Sequence, residues 1–145
     1  MATRNDPFPQ FNFQVKIDGI VVAGFSEVSG LTTDTNIIEY REGSENVGTV
    51  RKLAGLMKYN NIVLKRGWTA DTKLWAWRKS VIDGKTQRKT GSIVLLDESR
   101  SPALSWEFRE GWPCKWEGPA LNAKTSEVAI ETLEIANEGI ELATT

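Results

Sequence analysis

The sequence has no histidine and only one cysteine, Cys114, in 145 residues. Without histidine no Ser-His or Cys-His pair can form, and the commonest general base is missing. A lone cysteine makes no internal disulfide, so a reducing site of synthesis suits the chain. No apolar run approaches the ~20 residues that span a bilayer. The opening stretch, Met1-Ala-Thr-Arg-Asn-Asp-Pro-Phe-Pro, lacks the apolar core of a secretory signal, so synthesis in the cytoplasm without an export peptide is expected. Strong charge of either sign is missing too. Eighteen Lys and Arg against nineteen Asp and Glu leave a net charge of -1, which argues against a nucleic-acid partner and leaves little repulsion to oppose self-association. There is no Cys-x-x-Cys, no phosphate-cradling Gly-x-x-x-x-Gly-Lys and no Asp-x-Asp calcium loop. No metal and no cofactor is expected.

What is present reads as one mainly β domain spanning 1–145, an antiparallel β-sandwich or partial barrel with one α-helix. Residues 1–10, with Pro7 and Pro9, form an extended arm on which Phe8 needs a partner surface. Phe11, Phe13, Val15 and Ile17 then alternate with polar residues, the period-two mark of a strand with one buried face. Asp18-Gly19 supplies a hairpin turn, with Ile20 to Phe25 as the return strand. Further strands are expected at Asn36–Arg41, Asn61–Lys65, Ser92–Leu96 and Ala103–Phe108, the last two paired around a Ser101-Pro102 break. Trp112–Trp116 continues as a twisted segment in which Pro113 demands an edge or a bulge. Leu74, Trp77 and Val81 recur at helical spacing, so a helix is expected over about 71–83, with Asp71 as N-cap and Gly84 as a left-handed residue past its end. The stretch from Glu127 to Leu142 is open between helix and strand. Its glutamates fall on one helical face, yet Val128-Ala-Ile-Glu-Thr-Leu-Glu-Ile-Ala is dense in β-branched residues.

Catalytic candidates are thin. Lys115 beside Cys114 could lower its pKa and make a reactive thiol, but a small inert cysteine is the better reading. The pairs Asp97-Glu98 and Glu107/Glu110 have nothing to separate them from surface charge. Six tryptophans allow a rival function, a carbohydrate-binding sandwich that displays indoles as platforms. In that reading Trp77 and Trp106 belong to the core, and Trp112 and Trp116 are the exposed pair.

One feature asks for a partner. The segment 43–58 is long for a connection, yet it carries Val47, Val50, Leu53, Leu56 and Met57. It either folds back as an extended hairpin or docks on another chain. Glu39, Glu42 and Glu45 lead in, and Arg51, Lys52 and Lys58 come out. That split suits head-to-tail contacts between copies, or plain cross-strand pairing within one hairpin.

The chain resembles the tail tube proteins of contractile phage tails. Phe11-Asn-Phe-Gln-Val-Lys-Ile-Asp-Gly followed by Gly24-Phe-Ser-Glu-Val-Ser-Gly-Leu matches their opening. Glu39-Tyr-Arg-Glu-Gly, Lys52-Leu-Ala-Gly, Tyr59, Leu64-Lys-Arg-Gly, Leu74-Trp-Ala-Trp, Leu95-Leu-Asp-Glu, Trp112-Pro-Cys-Lys-Trp-Glu-Gly-Pro, Glu127-Val-Ala-Ile-Glu and Glu138-Gly-Ile-Glu-Leu continue it in order. The likeness is greatest to the inner-tube subunits of extracellular contractile injection systems. It departs at Asn137, where many relatives have histidine.

The resemblance implies a structural subunit and no enzyme. It implies hexameric rings stacked head to tail into a hollow tube, inside a sheath, between baseplate or tube-initiating proteins and a terminator, with luminal cargo in some systems. Such particles are made in a bacterial or archaeal cytoplasm and can be released. The same likeness favours a strand at Glu127–Ala136 and sends 43–58 to the neighbouring ring. Glu42, Glu45, Val47, Val50, Arg51, Lys52, Leu53, Leu56, Met57 and Phe8 are then the expected contact residues. A specialised tube-initiating ring beside the baseplate and a phage tail tube proper share these features.

Overall fold

Alternating apolar and polar residues sort most of this chain into strands. The computed structural model describes residues 13–18, 25–41, 43, 48–68, 71–124 and 128–144. The strands are β1 (Phe13–Ile17), β2 (Phe25–Ser29), β3 (Thr33–Tyr40), β4 (Arg51–Tyr59), β5 (Ile62–Gly67), β6 (Lys89–Leu96), β7 (Pro102–Glu117), β8 (Ile130–Ala136) and β9 (Gly139–Thr144). One helix, α1 (Lys73–Ile82), lies between β5 and β6. The expected arm at 1–10 and most of the return strand Ile20–Phe25 fall outside the described residues.

All pairings are antiparallel, and β7 organises them. Its first part pairs with β6 and β9, with Ser92 opposite Glu107 and Glu107 opposite Glu141. Its second part pairs with β8, with Trp116 opposite Leu133. One layer is therefore β1-β6-β7-β9 and the other β2-β5-β8-β7, with a single strand crossing between them. The crossing is marked by Glu110, at φ 52, and by a register shift between Pro113 and Lys115. Pro113 thus sits beside a bulge, one of the places where a sheet tolerates a residue without an N–H. Among the described residues the path does not close into a barrel, because β1 and β2 end it at opposite sides.

The inward residues of both layers meet in one core: Val15, Ile17, Ile62, Leu64, Ile93, Phe108, Leu133 and Ile135. The helix adds Leu74 and Trp77, and the buried indole Nε1–H of Trp77 donates to the Gln87 carbonyl at 2.8 Å. Phe108 is held between two glycines. A Cβ on Gly111 would stand 2.5 Å from its Cε2, and one on Gly91 would stand 2.6 Å from its Cε1.

The helix ends follow from backbone chemistry. The N-cap is Thr72, one residue later than expected, but Asp71 still serves the terminus by accepting the Lys73 N–H at 3.1 Å. That bond, with the nearby Arg66 guanidinium, holds the Asp71 carboxyl below the usual carboxylate range. At the other end Gly84 has φ 78, with Gly84 N–H bonded to the Val81 carbonyl and Lys85 N–H to that of Ser80. This is the paired closure that glycine permits past a helix end.

The open C-terminal stretch is β in the structure, as β8 and β9. In β8, Glu131, Leu133 and Ile135 are buried and alternate with less buried residues, a period of two that the glutamate spacing masks. Asn137, between them, donates its amide to the Asn60 carbonyl at 3.0 Å.

Candidate assembly surface

β3 and β4 pair with each other in a two-stranded sheet of their own, separate from the layers that hold the core. Every residue of β3 is exposed, and in β4 only Gly55 and Tyr59 are partly covered. Residues 51–58, expected as a projecting loop or hairpin, are thus strand, and the hairpin begins as early as Thr33. A two-stranded ribbon alone in water is marginally stable at best.

Register places the apolar groups on both sides of the ribbon. Ile38 faces Leu53 and Tyr40 faces Arg51 on one side, while Ile37 faces Ala54 and Thr35 faces Met57 on the other. A register shift between Thr35 and Ile37 gives β4 one extra residue there, at Gly55-Leu56. Exposure reaches 79% at Leu56, 69% at Met57 and 65% at Ile37. Full burial of one such side chain is worth ~1.5–3 kcal/mol. Several must be buried together to exceed the ~4 kcal/mol or more that association costs.

Of the expected contact residues, Val50, Arg51, Lys52, Leu53, Leu56 and Met57 lie on or beside β4 and are exposed. Phe8, Glu42, Glu45 and Val47 lie outside the described residues. Ile37, Ile38 and Tyr40 complete the apolar set. The strand expected at Asn36–Arg41 said nothing of which way it faces, and the signal available was that its partner strand is apolar too. Glu39 stands opposite Lys52 and Asp34 opposite Lys58, so charges of the two limbs face each other within one hairpin. Exposed pairs of this kind contribute under ~1 kcal/mol.

The chemistry-bearing residues elsewhere have structural work. Cys114 is half-buried, and burial, followed by the Glu134 carboxylate, pushes its thiol above the ordinary range. Lys115 turns instead to Glu117 at 3.0 Å. A reactive thiol is therefore not what this environment makes. Alkylation of Cys114 by iodoacetamide at pH 8 should be slower than that of an unstructured cysteine peptide, and should reach the peptide rate in denaturant. Equal rates in the folded state would refute the burial argument. Among the described residues no three metal-ligating side chains cluster, and no helix is long and apolar enough to cross a membrane.

The indoles are arranged differently from the expectation. Trp77 is buried and Trp106 packs against the core, as anticipated. Trp112 and Trp116, expected at the surface, are both partly covered. Trp116 packs on the core, meets Trp75 at a tilt with ring centres 4.8 Å apart and Trp68 edge-on at 5.9 Å, and donates its Nε1–H to Glu131 at 3.1 Å. Trp68 and Trp75 are the exposed ones. Beneath this cluster the buried Glu131 carboxylate pairs with the buried Arg66 guanidinium, which also donates to the Asp71 carbonyl at 3.0 Å.

The described residues thus comprise a sandwich with a separate two-stranded ribbon that is apolar and exposed on both sides. The family model described as T4-like virus tail tube protein gp19 matches residues 9–141. The chain belongs to this tail tube family. Solved structures agree on the fold. A chain of an anti-feeding prophage baseplate is 26% identical, with TM-score 0.85, over 97% of this chain and 98% of that one. A chain from the sheath-tube complex of the PVC extracellular contractile injection system is 23% identical, with TM-score 0.85, over 96% and 93%. A chain from the PVC sheath/tube terminator is 24% identical, with TM-score 0.87, over 98% and 100%. Curated protein sequences give no significant match. The tail tube fold here is the β-sandwich with its one helix, and the β3–β4 hairpin is its exposed appendage.

Proposed function

We propose that this tail tube protein forms hexameric rings that stack head to tail into the hollow inner tube of a contractile injection system, a mechanical part with no catalytic step. The observation that carries this reading is the hairpin: its apolar residues are exposed on both faces, and a neighbouring copy would give them cover. Around a ring, edge strands of neighbouring copies pair and so use up backbone groups that would otherwise invite aggregation. Between rings, the hairpin holds the stack while a sheath drives it forward. The relatives come from complexes named for sheath and tube, baseplate, and terminator. Those are the partners assigned to this chain in a particle released from the cell that makes it, with room for cargo in the lumen.

A specialised ring at one end of the tube is the second reading, favoured by the baseplate and terminator relatives. Copy number separates the two, since a main subunit recurs along the whole tube and an end ring occurs once. Deleting residues 46–56 removes most of β4 but none of the core cluster. In cells that make the rest of the particle, that deletion should leave folded monomers or single rings, and long tubes by electron microscopy would defeat the proposal.

A further inference from the structure

Charge is not spread evenly along this chain. Residues 73–89 hold six of the eighteen Lys and Arg but only one of the nineteen acids, Asp83. The rest of the sequence is left with twelve cations against eighteen acids. The fold gathers the positive excess on α1 and on the segment that leads from it into β6. Two of the six cations are paired, Lys79 with Asp83 at 2.6 Å and Arg88 with Glu138 at 3.7 Å. Lys73, Lys85 and Lys89 make no ion pair among the described residues. The Arg78 guanidinium donates to a neutral acceptor, the Pro113 carbonyl, at 3.2 Å. Positive charge therefore remains uncompensated on this part of the surface.

The same helix also shows apolar groups to solvent. Trp75 is 37% exposed and Ile82 55%. Seven residues apart, they fall on one side of α1, with Lys79 four residues past Trp75 and Arg78 four before Ile82. Trp75 rests against Trp116, with ring centres 4.8 Å apart, so its indole is held in place. An indole and an aliphatic chain set among lysines are the make-up of a helix that lies on a bilayer surface. Indole suits the headgroup level, where one end of the ring is apolar and the other wet. An acidic protein partner would be met better by arginine, whose planar fork takes a carboxylate in two bonds. Here four of the six cations are lysines, spread over helix and loop.

We propose that the α1 face carrying Trp75, Lys79 and Ile82, with Lys73 and Lys85 beyond its two ends, binds the anionic headgroups of a lipid bilayer. The inference goes beyond the tube reading and does not rest on it, because a single chain presents the whole face. The test is co-sedimentation of the purified full chain with vesicles. One set is phosphatidylcholine alone, and the other contains equal parts of phosphatidylglycerol and phosphatidylcholine. The chain should pellet with the anionic vesicles, stay in solution with the neutral ones, and be released as salt is raised. At about fivefold per cation near an anionic surface, Lys73→Gln with Lys85→Gln should weaken binding by about 25-fold. Ile82→Ser should weaken it several-fold as well, since apolar burial adds to the attraction. All three positions are exposed, so both variants should keep the melting temperature of the unaltered chain.

Two controls locate the effect. Lys16→Gln with Lys124→Gln, away from α1, and Leu56→Asp with Met57→Asp, on the hairpin, should both bind as the unaltered chain does. A loss in either control as large as that from Lys73→Gln with Lys85→Gln overturns the proposal. Equal binding to neutral vesicles, or none to anionic ones, overturns it without any variant. Poly-glutamate that binds the chain as tightly as anionic vesicles do, with no effect of Ile82→Ser, would give this face to an acidic protein and overturn the lipid assignment.

Discussion

Truncating Glu131 to alanine is expected to lower the unfolding free energy by about 3–5 kcal/mol, the usual cost of removing one partner of a buried ion pair. Glu131 and Arg66 are 2% and 3% exposed, and they face each other across β8 and β5. Alanine would leave the guanidinium desolvated, with the Asp71 contacts as its remaining polar partners, and would strip the Trp116 indole of its acceptor. The loss is therefore a penalty for an orphaned charge and not the worth of the pair. A double variant, Arg66→Met with Glu131→Leu, removes both charges and should recover most of the stability. Urea denaturation of the three chains measures this. A double variant as unstable as the single would show that the residues act through shape and not through charge.

The second large effect belongs to Phe108. Phe108→Ala should cost about 3–5 kcal/mol, as truncation of a buried aromatic usually does. The ring is 1% exposed and fills the space that Gly91 and Gly111 leave by having no side chain. Gly91→Ala alone should cost about 1–3 kcal/mol by overpacking, since its Cβ would also approach the Lys16 carbonyl oxygen to 2.9 Å. The two changes are coupled through one volume. In the Phe108→Ala background the Gly91→Ala penalty should shrink or reverse, because the new methyl enters the cavity. Strictly additive losses in thermal or urea unfolding would contradict the contact.

Much of this fold was legible because its cause is local. Strict alternation at Phe13, Val15 and Ile17 needs nothing beyond a half-buried strand, and Gly84 needs nothing beyond a helix that ends. The Ser101-Pro102 break was visible for the same reason. Pro102 begins β7, after a turn in which the Asp97 carboxylate accepts the Ser99 and Ser101 N–H groups. What could not be read depends on distant partners. The choice of strand over helix at 130–136 is made by the flanking β5 and β7, which the glutamate spacing does not encode.

The candidate assembly surface was half legible. Leu53, Leu56 and Met57 stood out because apolar residues in a supposed loop have no local excuse. Ile37 and Ile38 did not, because the pattern of a strand cannot tell one that faces the core from one left exposed. Trp116 was misplaced for a related reason. Its cover comes from Trp68 and Trp75, both far earlier in the chain, across a separation in sequence that no pattern bridges.

The sixteen residues of β7 have a mechanical corollary. Because that one strand runs through both layers, a shear applied to one is transmitted to the other along covalent bonds, in addition to side chains sliding in a core. A tube subunit built this way couples its two layers through the backbone as well as through the core.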